Sequence, residues 1–275
     1  MSKTVTVEHL KHYEVYGFVI LEEFFEEAEL LPVIDEIENQ VEKFSASLKL
    51  RGRISNTYED YDFYRRMAAI ANECDEAPGL FQVGTTMGPA LAALWSSAKL
   101  LDVVANILGP NIDGGAIWNV RPKVPENALM TVPWHQDSGY LSPEGQYTPQ
   151  PAAWIPLLDV DADLGCLQVI RGGHLPVGNA PHKVEKKFGD PRSWYLYIDE
   201  NDLPSGEIVT CAMRRGSVLL IDENMPHRGL VNRTDRVRWA LDIRWQKPSD
   251  PTGLEGVLMR GPSMRRSAEP GFYPD

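Results

Sequence analysis

The chain has 275 residues, enough for one large domain or two small ones. Hydrophobic residues make up 43% and charged residues 24%, the balance of a globular protein with a full core rather than a disordered chain. A net charge of −12 repels phosphate backbones and anionic lipid heads, which argues against nucleic acid and membrane surfaces as partners.

The three cysteines, Cys74, Cys166 and Cys211, are widely spaced and odd in number. They fit a reducing compartment and exclude a cysteine zinc site of ordinary spacing. The first residues, MSKTVTVEHLKHYEVYG, lack the apolar core of a signal peptide, and no apolar run reaches membrane-spanning length. The expectation is a cytoplasmic protein.

From the N-terminus, the sequence predicts a short helix from Val7 to Tyr16 that stops at Gly17, then a strand over FVIL. A long amphipathic helix begins near Glu26, with Leu30, Leu31, Ile34, Ile37 and Val41 on one face. A further helix is expected over 89–108, ended by Gly109-Pro110. Beyond residue 112 the texture changes. Short segments rich in Val, Ile, Trp and Tyr alternate with turn clusters: GAIWNVRP, TVPWHQD, PAAWIPLLDV, GCLQVIRGG, SWYLYI, GEIVTCAM, GSVLLIDE and RVRWALDIRW. Helices first and strands afterwards, without βαβ alternation, point to a mainly-β jelly-roll (double-stranded β-helix, cupin-like) barrel with the helices packed on one sheet. A single domain is expected, with helical support over about 1–110, the jelly-roll core over about 112–246 and a C-terminal tail over 247–275.

Within VPWHQDSGYL, His135 and Asp137 are two positions apart. In a strand such residues face the same way, so an imidazole and a carboxylate would project together while Gln136 points away. An isolated H-x-D is more often a strand-end polar pair, so the partners decide. Of the other histidines, His9 and His12 fall on the first helix, His174 in a turn and His182 in a polar loop. His227 follows the strand SVLLIDENMPH and is best placed to return beside His135. Eleven residues on lies Arg238, in a strand whose alternation puts Val237, Trp239, Leu241, Ile243 and Trp245 on a buried face. Arg238, Ala240, Asp242 and Arg244 share the other face, a solvent-facing stripe or the wall of a polar cavity. Arg238 alone would also suit a surface ion pair with Asp242; its place after a candidate metal ligand favours the cavity.

These residues resemble the phytanoyl-CoA dioxygenase family of Fe(II)/2-oxoglutarate oxygenases. The likeness extends through WIPLLDVDADLGCLQVIRGGH, residues 154–174, and GSVLLIDENMPHRGLVNRTDRVRWALDIRW, residues 216–245. It covers about 112–246 well and the N-terminal helices loosely. The resemblance implies that His135, Asp137 and His227 bind Fe(II) on one face and leave three positions for 2-oxoglutarate and O2. It gives Arg238 the distal carboxylate of 2-oxoglutarate, a task that suits a planar two-pronged cation better than a lysine. Succinate and CO2 would be released as a substrate C–H bond is hydroxylated. Asp137 stands where related halogenases carry a small residue, so hydroxylation is expected, with desaturation or cyclisation as alternatives on the same iron site.

By the same resemblance, Trp154 borders 2-oxoglutarate, though it reads equally well as a core residue, and Asn119 and Arg121 are candidates for its C1 carboxylate. The family often has a serine two residues after the distal histidine; Gly229 occupies that position here, so one donor is missing or supplied from elsewhere. His174 matches a structural turn. For the substrate, taken as a small molecule, Tyr140, Trp118, Arg51 and Arg53 are candidate contacts, the two arginines from LKLRGRISN. A non-catalytic jelly-roll binding domain would instead show a broken triad or lack Arg238.

Overall fold

The computed structural model describes residues 5–127, 130–175, 178–186, 194–254, 263–268 and 271–274. Helix α1 (Val7–Tyr16) is opened by Thr6, whose hydroxyl accepts from the His9 backbone N–H, and closed by Gly17 at φ 78. Only glycine fits at 17, because a Cβ would meet the Met225 methyl at 2.4 Å and the His174 ring at 2.5 Å. The chain then enters β1 (Phe18–Leu21) at once. Helix α2 (Glu27–Leu50) buries Leu30, Val33, Ile34, Ile37, Val41 and Leu48. Leu31, expected on that face, is 44% exposed; Val33 fills the core position instead.

Helices α3 (Arg66–Glu73) and α4 (Ala77–Gly84) follow. The helix expected over 89–108 is two: α5 (Pro89–Trp95) and α6 (Ala98–Leu108), bent by 45°. The break falls at two serines. Ser96 Oγ donates back to the Ala92 carbonyl at 2.7 Å, and Ser97 takes the N-cap of α6. No single helix among the described residues is long and apolar enough to cross a membrane.

The remaining strands are β2 (Ile112–Gly114), β3 (Asn119–Lys123), β4 (Ala152–Pro156), β5 (Leu167–Ile170), β6 (His182–Lys186), β7 (Trp194–Ile198), β8 (Ile208–Cys211), β9 (Val218–Ile221), β10 (His227–Gly229), β11 (Arg238–Gln246), β12 (Ser263–Ala268) and β13 (Gly271–Pro274). The main sheet has the order β1-β9-β4-β11-β2-β12-β13, with β3 also paired to β11; a second sheet has the order β10-β5-β8. This is the strand-rich jelly-roll architecture with helices on one sheet, although the two sheets do not join into one continuous hydrogen-bonded barrel among the described residues. Two boundaries differ from expectation. The strand β1 from the helical part completes the main sheet, and residues of the C-terminal tail add β12 and β13 to its other end. His182, expected in a loop, begins β6 in a two-stranded ribbon with β7.

Alternation along the central strands divides the interior in two. Ala153, Ile155, Val218, Leu220, Trp239, Leu241, Ile243 and Trp245 pack against the helices. Ala152, Trp154, Leu219, Ile221 and Ala240 point the other way, towards Leu167, Val169 and Cys211 of the small sheet. The candidate site lies on this second side.

Candidate metal centre and co-substrate pocket

His135 and His227 face each other as a backbone pair: His135 N–H donates to the His227 carbonyl at 3.0 Å, and His227 N–H donates to that of His135 at 2.9 Å. This single bridge links the VPWHQD segment to β10. Asp137 does not continue a strand but starts a short 3-10 turn (Asp137–Tyr140). Its side chain still converges with the two imidazoles. Gln136 does point away, and its buried amide is held by the carbonyls of Gly178 and Asn224.

Asp137 Oδ1 lies 3.7 Å from His135 Nε2 and 4.0 Å from His227 Nε2, and one ligand atom from each of the three residues falls within 4.8 Å of the others. Each histidine is oriented by its own backbone. Nδ1 of His135 donates to the Pro133 carbonyl at 2.9 Å, and Nδ1 of His227 to the Met225 carbonyl at 2.9 Å. A carbonyl only accepts, so Nδ1 carries the proton and both Nε2 lone pairs face Asp137, the tautomer a metal requires. Burial, with His227 alongside, holds His135 down at about 3, so its ring is neutral at ordinary pH.

The carboxylate is held equally firmly. Arg244 Nε and Nη2 both donate to Asp137 Oδ2, at 3.0 and 2.7 Å, which leaves Oδ1 to the cavity. Arg244 also pairs with Asp242, and Asp242 Oδ2 accepts from Nε and Nη2 of Arg121. Burial alone would raise the Asp137 carboxyl, but Arg244 and the two histidines outweigh it and keep the group well below the usual carboxylate range. Arg244 is raised in turn: burial opposes its charge, and Asp137 and Asp242 overcome that. Two imidazole nitrogens and one carboxylate oxygen are a donor set suited to a divalent first-row metal. The residues therefore fit the ion that the motif implies.

Arg238 lies on the same cavity wall, 3% exposed, and its Nε and Nη1 atoms are buried without a hydrogen-bond partner. Its guanidinium sits 5.2 Å above the Trp154 ring. Burial, reinforced by Arg121, pulls Arg238 down to about 9. Buried polar atoms are nearly always satisfied, so this orphaned edge marks an anion position. Arg238 and Trp154 thus come together beside the triad.

The other candidates divide. Tyr140 lines the cavity beside the metal centre, with its ring 5.8 Å from that of His135 and its hydroxyl accepting from the Leu196 N–H at 2.9 Å. Asn119 stands at the edge, where its Oδ1 accepts from Gln82 at 2.9 Å; Gln82 and Arg121 themselves line the cavity. Trp118 packs with the helix-side core instead. Arg51 is exposed at the end of α2, and Arg53 forms a surface ion pair with Glu76 at 2.5 Å, so neither lines the cavity. Of the residues flanking the motif, Trp134 is buried under the Arg228 guanidinium, away from the cavity. His174 is buried against Gly17, with its Nε2 at 3.2 Å from the Glu14 carbonyl, a structural role.

Several cavity residues escaped the sequence reading, among them the charged Arg244, Glu223 and Lys123. Arg244 carried a signal, since it shares the charged face with Arg238. Glu223 and Lys123 had none beyond composition. Glu223 lines the cavity 6% exposed; burial, with Asp222 adjacent, raises it to about 7.

The sequence matches the family model described as Phytanoyl-CoA dioxygenase (PhyH) over residues 13–240, a span that contains the triad and Arg238. No curated protein sequence matches it. Among solved structures it is similar to EctD from S. alaskensis with 2-oxoglutarate and 5-hydroxyectoine, at 17% identity over 96% of this chain and 87% of that one, with a TM-score of 0.61. It is also similar to EvdO2 from Micromonospora carbonacea var. aurantiaca complexed with 2-oxoglutarate, at 21% identity over 93% and 97%, TM-score 0.58. A third is SnoK, a non-heme alpha ketoglutarate dependent carbocyclase from nogalamycin biosynthesis, at 17% identity over 94% and 93%, TM-score 0.57. At these identities the likeness is one of fold.

Proposed function

Because the chain belongs to the phytanoyl-CoA dioxygenase family, we propose that it is an Fe(II)- and 2-oxoglutarate-dependent oxygenase acting as one domain. It hydroxylates an unactivated C–H bond of a small molecule and releases succinate and CO2. The observation that carries this reading is the meeting of two features in one cavity: a His135/Asp137/His227 donor set and the unpartnered guanidinium of Arg238.

When bound, Fe(II) with 2-oxoglutarate supplies the oxygen activation that no side chain can provide. The chain's own residues do the rest. His135 and His227 offer Nε2 and Asp137 offers Oδ1, while Arg244 keeps the second carboxylate oxygen out of the coordination face. Arg238 takes the distal carboxylate of 2-oxoglutarate above the Trp154 ring, and Arg121, with Asn119 at the edge, stands towards the C1 end. The space beyond the metal, about 310 Å³, is bordered by Ile117, Tyr140, Leu141, Tyr195 and Gln82. A cavity of that size and largely apolar lining suits a small molecule.

Desaturation or ring closure by the same site is the second reading, favoured by the likeness to the carbocyclase SnoK. Anaerobic titration with Fe(II) and 2-oxoglutarate tests the common core. A weak visible charge-transfer band is expected of this chelate, and its absence would sink both readings. Arg238→Ala should weaken 2-oxoglutarate far more than iron; equal losses would remove Arg238 from its role. A succinate-release screen across amino acids, amines, phosphonates, acyl thioesters and natural-product intermediates then separates substrates.

A further inference from the structure

The space beyond the metal has apolar walls, among them Ile117, Val132, Leu141 and Leu254, and besides His135 it is bordered by four charged side chains: Arg121, Asp137, Glu223 and Arg244. Three of the four already face an opposite charge. Arg121 donates from Nε and Nη2 to Asp242, and Arg244 spans Asp137 and Asp242. No cation among the described residues pairs with Glu223. Its Oε2 accepts from the Gln150 backbone N–H at 3.0 Å and its Oε1 from the Asn224 side-chain amide at 3.2 Å, both neutral donors. These bonds fix the carboxyl in one orientation and use two of its roughly four lone-pair positions.

A carboxyl that is 6% exposed and lacks a counter-charge costs the fold stability, and the like charges of Asp222 and Asp137 add to that cost. Such a group, oriented by its neighbours and bordering a cavity, marks a place where a ligand supplies the missing positive charge. We propose that Glu223 docks the substrate and that the pocket selects a small molecule in which a protonated amine is joined to an apolar body. The inference rests on the oxygenase reading above and names the substrate class of that same site. The ammonium donates to the two free lone-pair positions of Glu223, a charge-assisted bond in a partly dry space. The apolar body lies along Ile117 and Leu141, and the rest of the molecule is left for the metal. An acidic group at the same end would meet Glu223 and Asp222 as like charges, so the pocket discriminates against carboxylates and phosphonates there.

The test uses matched probes that differ only at one end: cyclohexylmethylamine, cyclohexylmethanol and cyclohexanecarboxylate, with phenethylamine, 2-phenylethanol and phenylacetate as a second set. Calorimetry at neutral pH titrates each into the full chain loaded with Mn(II) and 2-oxoglutarate. In at least one set the amine should bind on the order of tenfold to a hundredfold more tightly than its alcohol, the usual range for a hydrogen bond to a charged group, and the carboxylate most weakly. Glu223→Gln should bring that amine to within about threefold of its alcohol while the alcohol and 2-oxoglutarate stay within about twofold of wild type. The proposal fails if amine and alcohol bind wild type alike in both sets, if the glutamine variant weakens both alike, or if neither amine binds up to about 10 mM. Should thermal melting show that the glutamine variant is unfolded, the amine-to-alcohol ratio on wild type decides alone. Wild-type chain loaded with Mn(II) that does not bind 2-oxoglutarate would overturn the oxygenase reading itself, an outcome seen before any probe is added.

Discussion

The two faces of β11 do opposite work on the same nine residues. Towards the helices it sends Trp239, Leu241, Ile243 and Trp245, all fully buried. Trp239 stacks on Phe63 with ring centroids 4.8 Å apart, and its indole N–H donates to the Phe63 carbonyl at 2.9 Å. Towards the small sheet it sends Arg238, Ala240, Asp242 and Arg244, also buried but charged at three of four positions. One face gains stability by removing apolar area from water. The other bears desolvation, offset by the Arg121–Asp242–Arg244–Asp137 chain of ion pairs. The contrast teaches that this strand anchors the fold with one set of side chains and positions chemistry with the other. The two properties should therefore fail separately.

The largest expected effect that would break this separation is at the ligands. His227→Ala should reduce divalent-metal affinity by at least about a thousandfold, since it removes one of three protein ligands. Equilibrium dialysis measures it, and the variant should keep most of its unfolding free energy. On the apolar face, Trp239→Ala should cost about 3–5 kcal/mol in urea unfolding through lost contacts and a cavity. Metal affinity of the fraction that remains folded should barely change; a parallel collapse would mean the faces are not independent. Arg244→Met frees Asp137 Oδ2 and should lower metal affinity by about 10–100-fold, as loss of an orienting partner does.

The smallest effect is at Glu223. The folded chain holds its proton between the ordinary value of 4.5 and about 7, where the unfolded chain has lost it, so this group makes stability fall as pH rises through that window. Glu223→Gln should remove that decline. The difference in melting temperature between wild type and variant across pH 5–8, in metal-free protein, reads it.

Periodicity made much of this legible. Alternation in RVRWALDIRW separates the two faces of β11 correctly from composition alone, because burial on both sides still leaves charge on one of them. The convergence of His135 and Asp137 was also readable, but for a different local reason. A strand would align them, whereas the chain reaches the same end with a one-residue bridge and a 3-10 turn. What stayed hidden depends on long-range pairing. Nothing in the segment around Lys123 says that it will stand opposite Arg238 across the β3–β11 ladder. Arg51 and Arg53 looked like substrate contacts because the break after α2 was visible while its direction was not; it turns them outward, to Glu76 in the case of Arg53. The serine pair at 96–97 is a helix break that apolar periodicity ran straight through.

The reciprocal backbone pairing of His135 with His227 has a consequence for how metal arrives and leaves. Their spacing is set by two main-chain hydrogen bonds, and each ring is pinned by its own carbonyl two residues upstream, so few rotamers remain to be frozen on loading. The pair behaves as a rigid bidentate chelator, with Asp137 as a third tooth on a separately clamped hinge. Exchange should therefore begin at the carboxylate, the one ligand not tied into that ladder. The two imidazoles should keep their separation whether or not an ion lies between them.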